Sequence, residues 1–141
     1  MSNPTLILSC CLLVLVGCGD TNPKDTAPGD TSDTQDGGLS HATDIQPIWD
    51  ASCSGCHTNG GSQGSLVLDD GYAATVGVPS TQVPSMNLVE ATSADASYLW
   101  HKLQGTQANV AGSGDQMPPS GPLDANDLSL IEAWINEAAQ P

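Results

Sequence analysis

Apolar and polar positions divide the chain into three stretches of different pattern. Residues 6–16 are almost continuously apolar, broken only by Ser9, Cys10 and Cys11. That run is too short to cross a bilayer and has the length of the apolar segment of an export signal. Residues 19–38 reverse the pattern, with Asp20, Asp25, Asp30, Asp33 and Asp36 recurring among Thr, Pro and Gly and almost nothing apolar between them. Like charges and scarce apolar surface predict an extended, disordered spacer. From about residue 40 the apolar positions take on helical spacing. Thr43-Asp44-Ile45-Gln46 has the form of a capping box, with Pro47 tolerated in the first turn, and predicts a helix over 44–52. Ile45, Ile48 and Trp49 share one face of it, and Cys53 and Cys56 continue that face at spacings of four and three.

A Gly-rich loop over 58–65 follows, then Leu66-Val67-Leu68, short and apolar enough for a strand or extended coil. Residues 70–76 can form a helical turn, and 79–84, with a Pro at each end, must be irregular. A helix is predicted over 94–103, with Tyr98, Leu99, Trp100 and Leu103 available for burial. Residues 105–122 carry four Gly and three Pro and read as a long loop, of a length that in a small domain is usually functional. The clearest helix is the last. Asp124 caps it, Asp127 suits its first turn, and Leu128, Ile131, Trp134, Ile135 and Ala138 form its apolar stripe. The predicted class is all-α, one domain over 40–141 with helices at its start, middle and end.

Composition leaves this domain little to fill itself with. Hydrophobic residues make up 38% of the 141, Phe is absent, and three Trp and two Tyr are the whole aromatic content. Short domains bury a smaller fraction of their surface, and a thin core calls for a disulfide, a metal or a cofactor. The formal net charge is −14, with Lys24 and Lys102 the only basic side chains. No basic patch exists to neutralise phosphates, which excludes nucleic acid, or to dock on anionic lipid headgroups. Protein partners are thereby limited to neutral or basic surfaces.

Leu15-Val16-Gly17-Cys18, at the end of the apolar run, resembles the lipobox of bacterial lipoproteins. The resemblance implies that residues 1–17 are a signal peptide, and that Cys18 is lipidated on sulfur and becomes the mature N-terminus. Acyl chains would then hold the protein to a membrane, facing the periplasm or the outer surface. Residues 18–39 would be the acidic linker between anchor and domain. The first five residues depart from the pattern in having no Lys or Arg.

The chemistry rests on Cys53-Ser54-Gly55-Cys56-His57, a C-x-x-C-H sequence and the signature of c-type haem attachment. Two thiols one helical turn apart can each add across a haem vinyl group, and the next residue, His57, is then directed at the iron. One covalently held haem would supply the apolar mass that the composition lacks. Other uses of the pair fit less well. Zinc wants four ligands, and only His41 and His101 remain to complete the set. A thioredoxin-like thiol pair expects a βαβ setting, and a structural disulfide has no need of His57.

Over 43–139 the chain resembles class I cytochrome c, and most of all the small single-haem cytochrome c lipoproteins of myxobacterial type. Besides the C-x-x-C-H sequence, the likeness rests on Gly71-Tyr72-Ala73-Ala74, Ser97-Tyr98-Leu99-Trp100, Met117-Pro118-Pro119 and Trp134-Ile135. It implies a first and a last helix packed across each other beside a haem crevice, with Trp49 and Trp134 as candidates for the crossing. It also implies a Met as the second axial ligand, from a loop ahead of the last helix. Met117 fits that place, and Pro118 and Pro119 would stiffen its loop, while His101 and Met86 are the alternatives. One feature departs from the family. No Pro lies between His57 and Val78, so the carbonyl that orients His57 must come from elsewhere in 58–68.

Lys102 could pair with a haem propionate or be an ordinary solvated helix charge. Tyr98 and Trp100 could reach a propionate or simply pack, and His41 and Asp69-Asp70 carry no readable chemistry. The functional expectation is a membrane-tethered electron carrier rather than an enzyme, with His57 and Met117 on the iron. Two other readings stay open: a haem-based sensor or peroxidase-like protein with an open sixth site, and a non-haem thiol or metal-binding module.

Overall fold

The computed structural model describes residues 38–59 and 65–141. The stretches expected to be a signal peptide, a lipidated Cys18 and an acidic linker therefore lie wholly or almost wholly outside the described residues, as does most of the 58–65 loop.

The first helical segment begins earlier than its sequence pattern predicts. His41–Ile45 is a single π turn, closed by the Gln46 N–H on the His41 carbonyl, and it runs directly into α1, Gln46–Ser52. Pro47 has no N–H to give, and it falls where the π turn hands over to α geometry. The wider turn brings the Asp44 carboxylate back over the Ser40 N–H at 2.8 Å, and Thr43 Oγ1 donates to the same oxygen at 2.9 Å. The expected box of Thr43 with Gln46 does not form. Gln46 turns instead toward a distant stretch, its Nε2 donating to the Leu68 carbonyl at 2.9 Å and its Oε1 accepting the Gly71 N–H at 3.1 Å.

That tie places α2, Gly71–Thr75, a short helix capped by the Asp70 carboxylate on the Ala73 N–H at 3.3 Å. The helix expected over 94–103 is two pieces, a 3-10 turn Ala94–Ala96 and α3, Tyr98–Gln104. Ser97 separates them because its backbone is extended and its hydroxyl is committed, donating to the Ser93 carbonyl and accepting the Glu90 N–H, both at 2.8 Å. α3 ends on Gly105, whose φ of 71° is the left-handed conformation that closes helices. A second 3-10 turn, Gln107–Val110, interrupts the long loop beyond. α4, Ala125–Asn136, starts as its sequence predicts, with the Asp124 carboxylate accepting the N–H groups of Asn126 and Asp127 at 2.8 and 2.9 Å. Its stripe ends sooner than expected. Ala138 lies past the helix with a positive φ, and Ala139 is the buried alanine.

Among the described residues the regular elements are all helical, so the class is all-α. Leu66-Val67-Leu68 is coil, and sheet-like pairing is limited to isolated bridges of Ser40 with Gln140, Val76 with Val89 and Pro79 with Asn87. No helix among these residues is long and apolar enough to cross a membrane.

The core gathers on α1 and α4. Ile45, Trp49, Val89, Ile131, Trp134 and Ile135 are sealed from solvent. Trp49 and Trp134 meet edge to face with ring centroids 6.1 Å apart, a favoured aromatic arrangement. His41 sits among three rings, 4.8 Å from Trp49, 5.3 Å from Trp134 and 5.9 Å from Tyr72. Gly71 has no side chain because a Cβ there would run into the Trp49 ring. The two ends of the domain are tied beside this cluster. The His41 N–H and Trp134 Nε1 both donate to the Gln140 carbonyl, at 2.9 and 2.8 Å, and Ser40 Oγ donates to the Pro141 carbonyl at 2.7 Å.

Candidate functional site

α1 stops at Ser52, and the next five residues form a tight turn on its end. The N–H groups of Cys53 and Ser54 both reach the Trp49 carbonyl, at 2.8 and 3.0 Å, and those of Cys56 and His57 both reach the Cys53 carbonyl, at 3.0 Å. Two thiols and an imidazole therefore leave one turn of backbone. Gly55 is a spacer within it, since a Cβ there would meet nothing within 4 Å. The chain then folds back, with the Leu68 N–H on the His57 carbonyl at 2.7 Å and the Asn59 N–H on the Asp69 carboxylate at 3.0 Å. This return brings the Leu66 carbonyl to 3.3 Å from His57 Nδ1. A carbonyl only accepts, so Nδ1 carries the proton and Nε2 presents its lone pair. Leu66 thus supplies the orienting carbonyl that no Pro provides.

Cys53 and His57 line a cavity of about 450 Å³, a size typical of small-molecule and cofactor sites. Met117 lines the same cavity, together with apolar side chains such as Trp49, Leu66, Leu68, Leu99 and Leu103. Cys56 is half-buried on the turn and is not part of the cavity wall. Burial pushes the Cys53 thiol up to about 11, and the neighbouring Cys56 adds to the shift. Reactive thiol pairs are displaced the other way, toward the thiolate. Among the described residues no three His, Cys, Asp or Glu side chains gather as a metal-binding set. Neither observation favours a thiol-redox or zinc module.

The alternatives to Met117 are placed elsewhere. His101 is half-buried on α3 with both ring nitrogens engaged, Nε2 by the Asp95 carbonyl at 3.0 Å and Nδ1 by Thr106 Oγ1 at 2.9 Å. The tautomer with its proton on Nε2 satisfies both partners, and neither His101 nor Met86 lines the cavity. Met117 is set by α3, its N–H donating to the Lys102 carbonyl at 2.8 Å. Lys102 lines the cavity, and its Nζ donates to the carbonyls of Ser113 and Asp115 at 3.1 and 2.5 Å. Burial lowers its pKa, with the Asp115 carboxylate opposing that shift.

Three contributors to the site escaped sequence reasoning. The Leu66 carbonyl carries no side-chain signature, and Gln107 and Gln116, which hold the Met117 loop, look like solvated amides in sequence. Tyr98 is fixed by its hydroxyl on Gln82 Oε1, at the cavity wall that both residues share. Comparisons of the chain with protein-family models, with curated proteins and with solved structures found no match.

Proposed function

We propose that the chain is a single-haem c-type cytochrome, an electron carrier held outside the cytoplasm by a lipid on Cys18. The observation that carries this reading is the convergence of Cys53 and His57, from one turn, with Met117, from a loop distant in sequence, on one largely apolar cavity of about 450 Å³. The residues present fit the group. Imidazole nitrogen and thioether sulfur are the donor pair that holds iron in low-spin carriers. The Leu66 carbonyl fixes the His57 tautomer whose Nε2 is free to bind a metal. Cys53 and Cys56 would each add an S–H across a vinyl double bond, forming thioethers that fix the group to the α1 turn. The edge-to-face pair of Trp49 on α1 and Trp134 on α4 supports the finer expectation of a small cytochrome c fold.

Haem supplies an iron that shuttles between ferric and ferrous states. The chain's own residues do the rest. His57 and Met117 would both hold the iron and leave no ligand place for substrate, which suits outer-sphere electron transfer rather than catalysis. The neutral, soft Met117 sulfur and the apolar walls would favour the ferrous form and raise the potential. The acidic linker over 18–39 gives the domain reach from the membrane, and the −14 charge selects neutral or basic redox partners.

Thioether bonds survive denaturation, so the reading is tested on a denaturing gel stained for haem. The exported protein should stain at the mass of the chain, and the Cys53→Ala, Cys56→Ala double variant should not. Haem that acidic acetone extracts from the unmutated protein would contradict the proposal.

A further inference from the structure

Residues 113–117, which end in Met117, are held to the region of α3 at every position. The Ser113 and Asp115 carbonyls accept from Lys102 Nζ, and the Gly114 carbonyl accepts from Gln107 Nε2 at 2.6 Å. Gln116 Nε2 donates to the Leu103 carbonyl at 2.7 Å, and the Met117 N–H donates to the Lys102 carbonyl. Lys102 therefore grips the loop twice, by its backbone at one end and by its ammonium at the other. Its ammonium is the only charged donor in the set, and charge-assisted hydrogen bonds are roughly twice as strong as neutral ones. α3 does not depend on this grip for its own termination, because Gly105 closes it in the left-handed conformation. The grip therefore bears on the loop and on where Met117 can go.

We propose that Lys102 is a positioning residue for Met117, clamping the 113–117 loop shut so that the sulfur stays on the iron and outside ligands are kept off it. This rests on the assignment of His57 and Met117 as iron ligands. With the ammonium removed, the Ser113 and Asp115 carbonyls lose their donor, the loop opens more often, and Met117 leaves the cavity for a larger share of the time. An added ligand that competes with sulfur then binds more tightly, because less of its binding energy is spent on opening the loop.

The test is a titration of the full-length ferric protein with imidazole, read from its visible spectrum, in the wild type, Lys102→Leu and Lys102→Arg. Amide exchange at the Met117 N–H is measured alongside. Lys102→Leu should bind imidazole about three- to tenfold more tightly and lose Met117 amide protection by a similar factor, as expected for a charge-assisted interaction lost at a solvent-exposed position. Lys102→Arg, which keeps a charged donor, should return toward wild type in both. If Lys102→Leu matches wild type in imidazole affinity within about twofold, or is merely less heat-stable, Lys102 does not position Met117. A wild-type ferric protein with no sulfur-to-iron band would overturn the ligand assignment itself, and this inference with it.

Discussion

Leu66 lines the cavity, and its carbonyl oxygen also settles which nitrogen of His57 carries the proton. A backbone acceptor has no identity in sequence, and only the return of the chain through Leu68 and Asp69 brings it to the ring. The C-x-x-C-H turn is the opposite case. Its hydrogen bonds join near neighbours, so its turn geometry is legible from consecutive residues. Glycines divide in the same way. Gly55 lies in open space, so Gly55→Ala should leave stability and haem attachment unchanged. Gly71 lies against Trp49, so Gly71→Ala should destabilise the fold by about 1–3 kcal/mol through overpacking. Urea unfolding of the two variants checks this, and equal midpoints would refute it.

Elements whose signals are local were readable in advance, and those decided by remote partners were not. α4 carries its own cap in Asp124 and its own stripe in Ile131, Trp134 and Ile135. Asp124→Ala should cost about 0.5–2 kcal/mol of stability, because it strips two N–H groups of their acceptor, whereas Asp127→Ala should cost only a few tenths. Equal losses in denaturant titrations of the two variants would contradict that account. The first helical segment starts three residues ahead of its sequence pattern because it opens with a π turn, which sequence periodicity does not announce. Gln46 fits a local box in sequence, but in the fold its amide serves Leu68 and Gly71, more than twenty positions away. The break at Ser97 likewise comes from a hydroxyl committed to Glu90 and Ser93. Met117 is a candidate only through a family resemblance, and the hydrogen bonds that seat its loop are invisible until α3 and the 113–117 segment meet.

At the scale of the whole molecule, the ends of the domain close around His41, which sequence left without a role. Its ring is buried among Trp49, Tyr72 and Trp134, and Nε2 has no hydrogen-bond partner among the described residues. Burial holds its pKa below the usual 6.5, against the smaller opposing pull of Asp70 and Asp50. Above about pH 6.5 the ring is neutral in both the folded and unfolded states, so it adds no pH dependence. As pH falls through that value the unfolded chain takes up a proton that the folded chain resists, and stability is lost until the lower folded pKa is reached. Subtracting the curve of His41→Phe from that of the wild type should isolate this loss, and coincident slopes would rule it out. Charge acts over longer range. With −14 overall, the protein should reduce or oxidise a soluble basic partner more slowly as salt rises, and an acidic partner that reacts fastest at low salt would contradict the assignment. The central claim is that His57 and Met117 close both faces of a covalently held haem, and the most direct measurement is the visible spectrum of the exported protein, oxidised, reduced and under carbon monoxide. The ferric protein should be low-spin with a weak long-wavelength sulfur-to-iron band, the ferrous protein should bind carbon monoxide poorly, and Met117→Ala should erase the band and admit carbon monoxide while His101→Ala changes neither. A wild-type protein that binds carbon monoxide readily, with no change in either variant, would mean an open sixth site and a sensor or peroxidase in place of a carrier.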